Sequence, residues 1–309
     1  MTVGTGTDAA APRVVAVVGP TASGKSALSL RLAAELDGEI LSCDSMQVYR
    51  GLDIGTAKPS AAERSRVPHH LLDVADPDED FSAARFAELA DVAAADVASR
   101  GRVVVACGGT GLYLRAWLRG LFPAPRSDPA IRARHREEGA AAVRARLQDV
   151  DPAAAAAILP GDLKRLSRAL EVFEQTGVPI TELRRRAARG LRYPVRLVGL
   201  SPPRPLLHER VDARFDAMMA AGLVDEVRGL ISRHGPDIRP LGALGYAQLR
   251  AHLQGLLPLD EAVRQAKRDT RRYARRQLTW FRAEPDVAWH EDPDALDLEP
   301  LRRFCGRGG

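Results

Sequence analysis

The chain has 309 residues, of which 45% are hydrophobic, and it carries a formal net charge of +5. Its mean hydropathy of −0.19 is typical of a soluble protein, and its length suggests about two domains. No apolar stretch reaches the roughly 20 residues that a membrane-spanning helix needs. Residues 1–12 lack the apolar segment of a secretion signal. We therefore expect a cytoplasmic protein with no membrane partner.

The cysteines and the charge narrow the class of protein further. Cys43, Cys107 and Cys305 are scattered and lack the spacing of metal ligands, so neither a disulfide framework nor a zinc site is indicated. The excess of basic residues permits a nucleic-acid partner without demonstrating one.

The most informative segment follows the first apolar run. Val14–Val18 is rich in β-branched residues and predicts a buried strand, and residues 27–36 have the spacing of a helix. The segment between them matches the phosphate-binding P-loop pattern G-x-x-x-x-G-K-[ST]. Its eight residues are Gly19, Pro20, Thr21, Ala22, Ser23, Gly24, Lys25 and Ser26.

A P-loop in this setting presents its backbone N–H groups and a helix N-terminus to an anion. Lys25 adds a positive charge, and the hydroxyl of Ser26 can hold Mg²⁺. The prediction at this point is a phosphate or pyrophosphate ligand. The alternative is a glycine-rich turn without a ligand.

Strands and helices alternate through the rest of the first third. Strands are predicted at Ile40–Ser42, His69–Val74 and Val103–Ala106, and helices at Ser82–Ser99 and Leu112–Arg119. Alternation of this kind predicts a parallel sheet in an α/β fold.

Only helical patterns follow from about Ser127 to Arg189, before strand character returns at Tyr193–Leu200. Later helices are predicted at Pro205–Ala221, Ala243–Gln254 and Leu259–Ala283. The predicted fold is therefore α/β, with a P-loop NTPase-like parallel sheet core and an all-helical insertion domain. The predicted boundaries are 12–126 for the first part of the core, 127–190 for the insertion, and 191–300 for the second part with the C-terminal helices.

Asp44 is the predicted acidic residue of the site. In P-loop ATPases and GTPases an apolar strand usually ends in an Asp that supports Mg²⁺, but Val103–Cys107 ends in glycines. Asp44 follows the strand Ile40–Ser42, and the carboxyl ends of parallel strands line the crevice of an open sheet. It is predicted to face the phosphates as a metal support or a base. The alternative is an N-cap for a helix after Ser45.

Two further features leave alternatives open. In the loop Gly108–Gly111, Thr110 can contact a leaving pyrophosphate, or the loop is an ordinary tight turn. The C-terminal helix carries a basic stripe that is either a nucleic-acid surface or a solvated face, formed by Arg264, Arg268, Arg271, Arg275 and Arg282.

Eight segments of the chain, in the same order, resemble the bacterial tRNA dimethylallyltransferases, also called tRNA isopentenylpyrophosphate transferases. The Asp-Ile-Gly-Thr-Ala-Lys-Pro and Arg-Gln-Leu-Thr-Trp stretches are far more specific than the P-loop, whereas Met46-Gln47 differs from the apolar pair of many members. The segments are Gly19–Ser26, Asp44–Tyr49, Asp53–Pro59, Pro68–Leu71, Gly108–Tyr113, Arg165–Val172, Leu244–Tyr246 and Thr270–Trp280.

The resemblance implies transfer of a dimethylallyl group from dimethylallyl diphosphate to N6 of adenosine 37 in tRNA, giving N6-isopentenyladenosine next to the anticodon. It implies that the P-loop and Arg214 hold the diphosphate and that Ser26 binds Mg²⁺. Asp44 would be the general base, and Lys25 and Thr110 would stabilise the departing pyrophosphate.

We expect a monomer in which the arginine-rich helical insertion clamps the anticodon stem-loop together with the P-loop domain. The alternative for the arginines of the insertion is a solvated helix face. The expected tRNA contacts are Asp44, Ser45, Met46, Gln47, Thr110, Arg132, Lys164, Arg165, Leu166, Ser167 and Arg168. Two other functions remain open: a small-molecule P-loop kinase in which ATP fills the cradle and Asp44 activates a hydroxyl, and an RNA-binding module without catalysis.

Overall fold

The computed structural model describes residues 11–187 and 190–307. Most of the predicted polar N-terminal tail and the last residues of the predicted insertion, 188 and 189, lie outside the described residues. The chain divides into two units, one formed by residues 1–118 and 193–309 and the other by residues 119–192. Within the described residues, no helix is long and apolar enough to cross a membrane.

The larger unit is built on a six-stranded sheet whose recorded pairings are all parallel. Its strand order is β3-β2-β4-β1-β5-β6, which confirms the predicted P-loop NTPase-like α/β core. The strands are β1 (Val14–Val18), β2 (Gly38–Ser42), β3 (His69–His70), β4 (Val103–Cys107), β5 (Val195–Leu200) and β6 (Val287–His290).

Helices cover both faces of this sheet and make up the whole regular structure of the smaller unit as far as it is described. They are α1 (Lys25–Glu35), α2 (Ala61–Arg66), α3 (Ala83–Ser99), α4 (Gly111–Arg119), α5 (Pro129–Val150), α6 (Pro152–Ala157), α7 (Leu163–Thr176), α8 (Ile180–Arg186), α9 (Arg204–Ala220), α10 (Leu223–His234), α11 (Tyr246–Leu253), α12 (Leu259–Arg282) and α13 (Glu299–Phe304).

The central strand β1 is buried on both faces, as expected of a parallel strand between two layers of helices. Val15 and Val17 enter one hydrophobic core, while Val14, Ala16 and Val18 enter the other. All five side chains of β1 are apolar and buried, and the P-loop begins directly after its last residue.

The parallel register brings three loops to one edge of the sheet. Val17 of β1 lies opposite Cys107 of β4, and Cys107 lies opposite Ser42 of β2. The P-loop, the turn that contains Asp44 and the loop after β4 therefore begin side by side. Carboxyl ends of strands form the binding crevice of open α/β sheets.

The smaller unit has its own hydrophobic core, to which Val143, Leu147, Leu166, Leu170 and Ile180 contribute. Its helices are also joined by ion pairs on two acidic side chains of α7. Glu171 contacts Arg132 and Arg168, and Glu174 contacts Arg134 and Arg146.

Two predicted elements are wrong in extent. The strand expected over His69–Val74 consists only of His69–His70, because Leu71 and Asp73 adopt φ values of 62° and 57° that cannot continue a strand. The helix expected after Ser45 is a series of turns. The Asp44 carboxylate accepts N–H bonds from the first of these turns, so it caps a turn and not a helix.

Other elements have shifted limits or were not predicted. The helix expected over Ala243–Gln254 begins only at Tyr246, because Gly245 has a φ of 84° that a helix does not allow. The elements that the sequence patterns did not indicate are α2, α10, α13 and β6.

A buried carboxylate stabilises one side of the sheet. The Glu39 side chain in β2 is 1% exposed and accepts hydrogen bonds from Arg100, Arg102 and His70. Burial alone would raise the pKa of Glu39, but the hydrogen bonds from Arg100 and His70 outweigh that effect and lower it.

We predict that Glu39→Gln lowers the free energy of unfolding at pH 7 by about 1–3 kcal/mol, because charge-assisted hydrogen bonds are lost from a buried site. A lowered pKa in the folded state stabilises the fold above the ordinary value of 4.5 and ceases to do so as the pH falls through the folded-state pKa. The deficit of the variant should therefore shrink in acid.

Urea unfolding at pH 7 and at several values below 4.5 measures this difference. Glu209→Gln is the control, because Glu209 is an exposed carboxylate on α9. A deficit of the Glu39 variant that stays constant into acid would contradict the assignment.

Candidate active site

The edge where β1, β2 and β4 end opens into a cavity between the sheet and helices α9 and α12. Of the sequence-predicted site residues of the larger unit, those that line it are Thr21, Lys25, Ser26, Asp44, Gln47 and Arg214. The cavity wall includes Thr21, Lys25, Ser26, Asp44, Gly108, Gly109, Arg214, Tyr273 and Gln277.

The backbone conformation of the P-loop at the base of the cavity requires glycine at two positions. Gly19 has a φ of +142°, and a Cβ at this position would lie 2.5 Å from the carbonyl oxygen of Leu200. Gly24, with a φ of +95°, precedes the first turn of α1. Lys25 Nζ donates to the Pro20 carbonyl oxygen at 2.5 Å, which folds the lysine back over its own loop.

Lys25, Arg214 and Asp44 interact electrostatically in the cavity, whose wall also contains Glu63 and His69. Desolvation lowers the pKa of Lys25 to about 8, an effect that Arg214 reinforces and Cys107 and Asp44 oppose. Burial also lowers the pKa of Arg214, which Asp44 partly restores. Two desolvated cations that interact with the carboxylate of Asp44 favour an anionic ligand.

The site holds no preformed metal cage. No group of three or more His, Cys, Asp or Glu residues with metal-binding geometry occurs in the described part of the chain. A divalent cation here would depend on Ser26, Asp44 and oxygen atoms of the ligand, which is how Mg²⁺ usually binds beside phosphates.

Asp44 is held by the turn that follows it. Its Oδ1 accepts N–H bonds from Met46 at 2.8 Å and from Gln47 at 3.3 Å. The Thr110 hydroxyl accepts the N–H of Ser45 at 3.1 Å, and the Thr110 N–H donates to the Cys43 carbonyl oxygen. Thr110 thus fixes the turn of Asp44 and, unlike Gly108 and Gly109, is not among the residues of the cavity wall.

Gln277 is a site residue to which the sequence patterns assigned no role. Its Oε1 accepts the Thr21 N–H at 2.9 Å, and its Nε2 donates to the Gly109 carbonyl oxygen at 2.9 Å. One side chain of α12, 6% exposed, thereby joins the P-loop to the loop after β4. The Arg-Gln-Leu-Thr-Trp stretch marked its position, but periodicity places Gln277 on a helix without saying what it touches.

A second, more apolar cavity of about 460 Å³ adjoins the first and shares Thr21, Asp44, Arg214 and Tyr273 with it. Its wall also contains side chains of α9 and α10, among them Val211, Phe215, Met218 and Leu223. Burial, followed by the charge of Asp44, raises the pKa of Tyr273 to about 12, so its phenol stays protonated at neutral pH.

Comparison with known proteins identifies the family of this chain. A family model described as IPP transferase matches residues 47–284. The chain belongs to this family. A relative from Anaeromyxobacter sp. (strain K), named tRNA dimethylallyltransferase, is 53% identical over 94% of this chain and 96% of its own length. The resemblance predicted from the sequence motifs is thereby confirmed.

Solved structures of IPP transferases have a similar fold. The crystal structure of the tRNA isopentenylpyrophosphate transferase from Bacillus halodurans matches with a TM-score of 0.70 and 40% identity, and the match covers 95% of this chain and 94% of that one. A eukaryotic dimethylallyltransferase acting on tRNA is 24% identical with a TM-score of 0.82, which extends the likeness in fold alone.

The residues expected to contact tRNA from the helical unit differ in their surroundings. Leu166 is 0% exposed and Ser167 is 6% exposed, and the Ser167 hydroxyl pairs with His135. The expectation that these two side chains contact tRNA does not fit, because they lie in the interior of the unit. Lys164 and Arg165 are exposed on the same helix.

Arg132 and Arg168 share the carboxylate of Glu171, which is itself 0% exposed. Arg168 also donates to the Pro125 carbonyl oxygen. Both arginines are therefore held in place before any ligand binds.

The pKa of Lys25 predicts that anion binding depends on pH. As the pH rises through about 8, the ammonium group loses its charge, so the affinity for inorganic diphosphate should fall by up to about tenfold per pH unit. Calorimetric titration between pH 6.5 and 9.5 measures this. Lys25→Arg is the matched comparison, because a guanidinium stays charged over that range. Equal pH dependence in both proteins would contradict the role of Lys25.

Proposed function

We propose that this protein transfers the dimethylallyl group of dimethylallyl diphosphate to N6 of adenosine 37 in tRNA, giving N6-isopentenyladenosine. The observation that carries the proposal is the single crevice in which a P-loop, the carboxylate of Asp44 and the guanidinium of Arg214 face one another. Membership of the IPP transferase family and relatives named tRNA dimethylallyltransferase support it.

The P-loop end of the crevice suits the diphosphate of the donor. Backbone N–H groups at the start of α1 and the charges of Lys25 and Arg214 stabilise its phosphates. Mg²⁺ fits beside them, because the Ser26 hydroxyl is available and the remaining ligands would be phosphate oxygens and water. Bound there, the ion would offset negative charge on the leaving pyrophosphate.

The second cavity suits the groups that react. Its apolar wall accommodates the five-carbon chain of the donor and the face of a purine, and Asp44 and Tyr273 lie where the two cavities meet. An adenine inside a folded RNA must leave its stack to reach such a site. Unpaired loop nucleotides, such as those beside an anticodon, allow this most easily.

Asp44 removes the proton that the new bond displaces. The N6 lone pair of adenine is delocalised into the ring, so attack on C1 of the prenyl group requires a base that takes an N6 proton as the N–C bond forms. The C1–O bond breaks and its electron pair leaves with pyrophosphate, toward Lys25 and Arg214. The two backbone N–H bonds to Asp44 fix the carboxylate in the required direction.

The helical unit is the proposed binding surface for the tRNA backbone. Lys164 and Arg165 are exposed, and Arg132 and Arg168 are fixed by Glu171. Contacts of this kind to phosphates position an RNA, whereas contacts to its unstacked bases specify it.

Replacement of Asp44 by Asn tests the chemistry. Asn retains an oxygen that can accept the Met46 and Gln47 N–H bonds but cannot take a proton, so turnover should fall by roughly 10²–10⁴-fold with little change in the affinity for either substrate. Single-turnover transfer from labelled dimethylallyl diphosphate to an unmodified anticodon stem-loop measures the rate.

A stem-loop with guanosine at position 37 should accept no label, and labelled ATP should label neither RNA. Turnover of Asp44→Asn within a few-fold of the wild type would contradict the assignment of the base. Phosphoryl transfer from ATP would favour a kinase instead.

Replacement of Lys164 or Arg165 by Ala tests the proposed RNA surface. Each lost phosphate contact should lower tRNA affinity and reduce the slope of log affinity against log salt by about 0.7–0.9. Arg185→Ala is the control, because Arg185 is an exposed arginine of the same unit that is not among the expected tRNA contacts and, like Arg165, pairs with a nearby carboxylate. If both variants keep the affinity and slope of the wild type, the surface lies elsewhere and the basic stripe of α12 becomes the better candidate.

A further inference from the structure

The loop Asp53–Pro59 forms part of the wall of both cavities, through Thr56, Ala57 and Pro59 in the first and through Gly55 and Thr56 in the second. It contains turns and no helix or strand. Its own turns pair the N–H groups of Ala57 and Lys58 with Ile54 and Asp53, and the remaining backbone groups need partners from other parts of the fold. Those partners determine where the loop lies.

The partner on the N–H side is the carboxylate of Glu226 in α10. Its Oε2 accepts the N–H groups of Asp53 at 2.9 Å and Ile54 at 2.7 Å, and its Oε1 accepts the Gly55 N–H at 3.1 Å. Oε1 also accepts the Tyr246 hydroxyl at 2.6 Å. Four donors therefore converge on one side chain. A carboxylate suits this position because both of its oxygens accept hydrogen bonds and neither donates one.

The loop also packs closely against Tyr246. A Cβ on Gly55 would lie 2.5 Å from the ring of Tyr246, so the loop backbone lies directly against the tyrosine. Two of the motifs that carried the sequence resemblance, Asp53–Pro59 and Leu244–Tyr246, thus contact each other, and Glu226 bonds to both.

The opposite side of the loop contacts the site residues. The Thr56 carbonyl oxygen accepts Nε2 of Gln47 at 3.1 Å and lies 3.5 Å from Nη2 of Arg214. Gln47 in turn donates its backbone N–H to Asp44. A shift of the loop therefore moves the partner of Arg214 and disturbs the turn that holds Asp44.

We propose that Glu226 is a positioning residue for the transfer reaction, because it fixes the Asp53–Pro59 loop and, through Thr56, the placement of Arg214 and of the Asp44 turn. Glu226 is not among the residues that line either of these two cavities. The inference rests on the proposed function for its kinetic consequence, while its structural part concerns the loop alone.

The test compares Glu226→Gln with Asp225→Asn. Both substitutions remove one negative charge from adjacent residues of α10, but Asp225 is 76% exposed and pairs only with Arg228 among its recorded ion pairs. In Glu226→Gln one of the two carboxylate oxygens becomes an NH2 group, so in either orientation of the amide at least one of the three loop N–H groups loses its acceptor. Amide hydrogen exchange at 53–55 should therefore accelerate by about tenfold or more.

Turnover with dimethylallyl diphosphate and the affinity for inorganic diphosphate should each fall by about tenfold in Glu226→Gln and stay unchanged in Asp225→Asn. If Glu226 served only the stability of the fold, its substitution would lower the melting temperature. The diphosphate affinity measured well below that temperature would then stay unchanged. Glu226→Asp, which keeps the charge on a shorter side chain, should give the same changes to a smaller extent. It tests the inference if the glutamine variant does not fold.

Wild-type exchange at 53–55 together with wild-type diphosphate affinity in Glu226→Gln would overturn the inference. Absence of dimethylallyl transfer by the wild-type protein would instead overturn the proposed function. The exchange comparison would still decide whether Glu226 fixes the loop.

Discussion

The buried amide of Gln277 is the interaction on which the phosphate end of the crevice depends. It accepts from the Thr21 N–H with its oxygen and donates to the Gly109 carbonyl oxygen with its nitrogen. A carboxylate or an apolar side chain would leave at least one of these backbone groups unpaired at a position where the side chain is 6% exposed. The same contact explains why position 109 is a glycine, because a Cβ there would collide with the Gln277 amide.

The electrostatic state of the site before ligand binding also matters for the reaction. Lys25 and Arg214 are both partly desolvated, and the pKa of each is lowered. Desolvation outweighs the stabilisation that each of them receives from the carboxylate of Asp44. A ligand that brings negative charge relieves this, and a leaving pyrophosphate, which gains charge as its bond breaks, relieves it further. The site is thereby more complementary to the departing group than to the intact donor.

The sequence predicted features that depend on local pattern and missed those that depend on distant contacts. The strand, P-loop and helix around Lys25 follow from periodicity and one motif, and Asp44 follows from its place after a strand. The strand at His69 was overestimated because apolar composition does not reveal the positive φ of Leu71. Glu226 was invisible because its loop partners are backbone N–H groups 171 to 173 residues away in the chain.

The arginines of the helical unit illustrate why charge clusters are ambiguous in a sequence. The sequence predicts Arg132 and Arg168 as RNA contacts, yet both form ion pairs with the fully buried Glu171. The two roles are compatible, because a guanidinium has five donors and the recorded bonds to Glu171 use one or two of its nitrogens. An arginine already held by a carboxylate loses less rotamer freedom when a phosphate arrives. An internal ion pair can therefore preorganise a phosphate contact without competing for all of its hydrogen bonds.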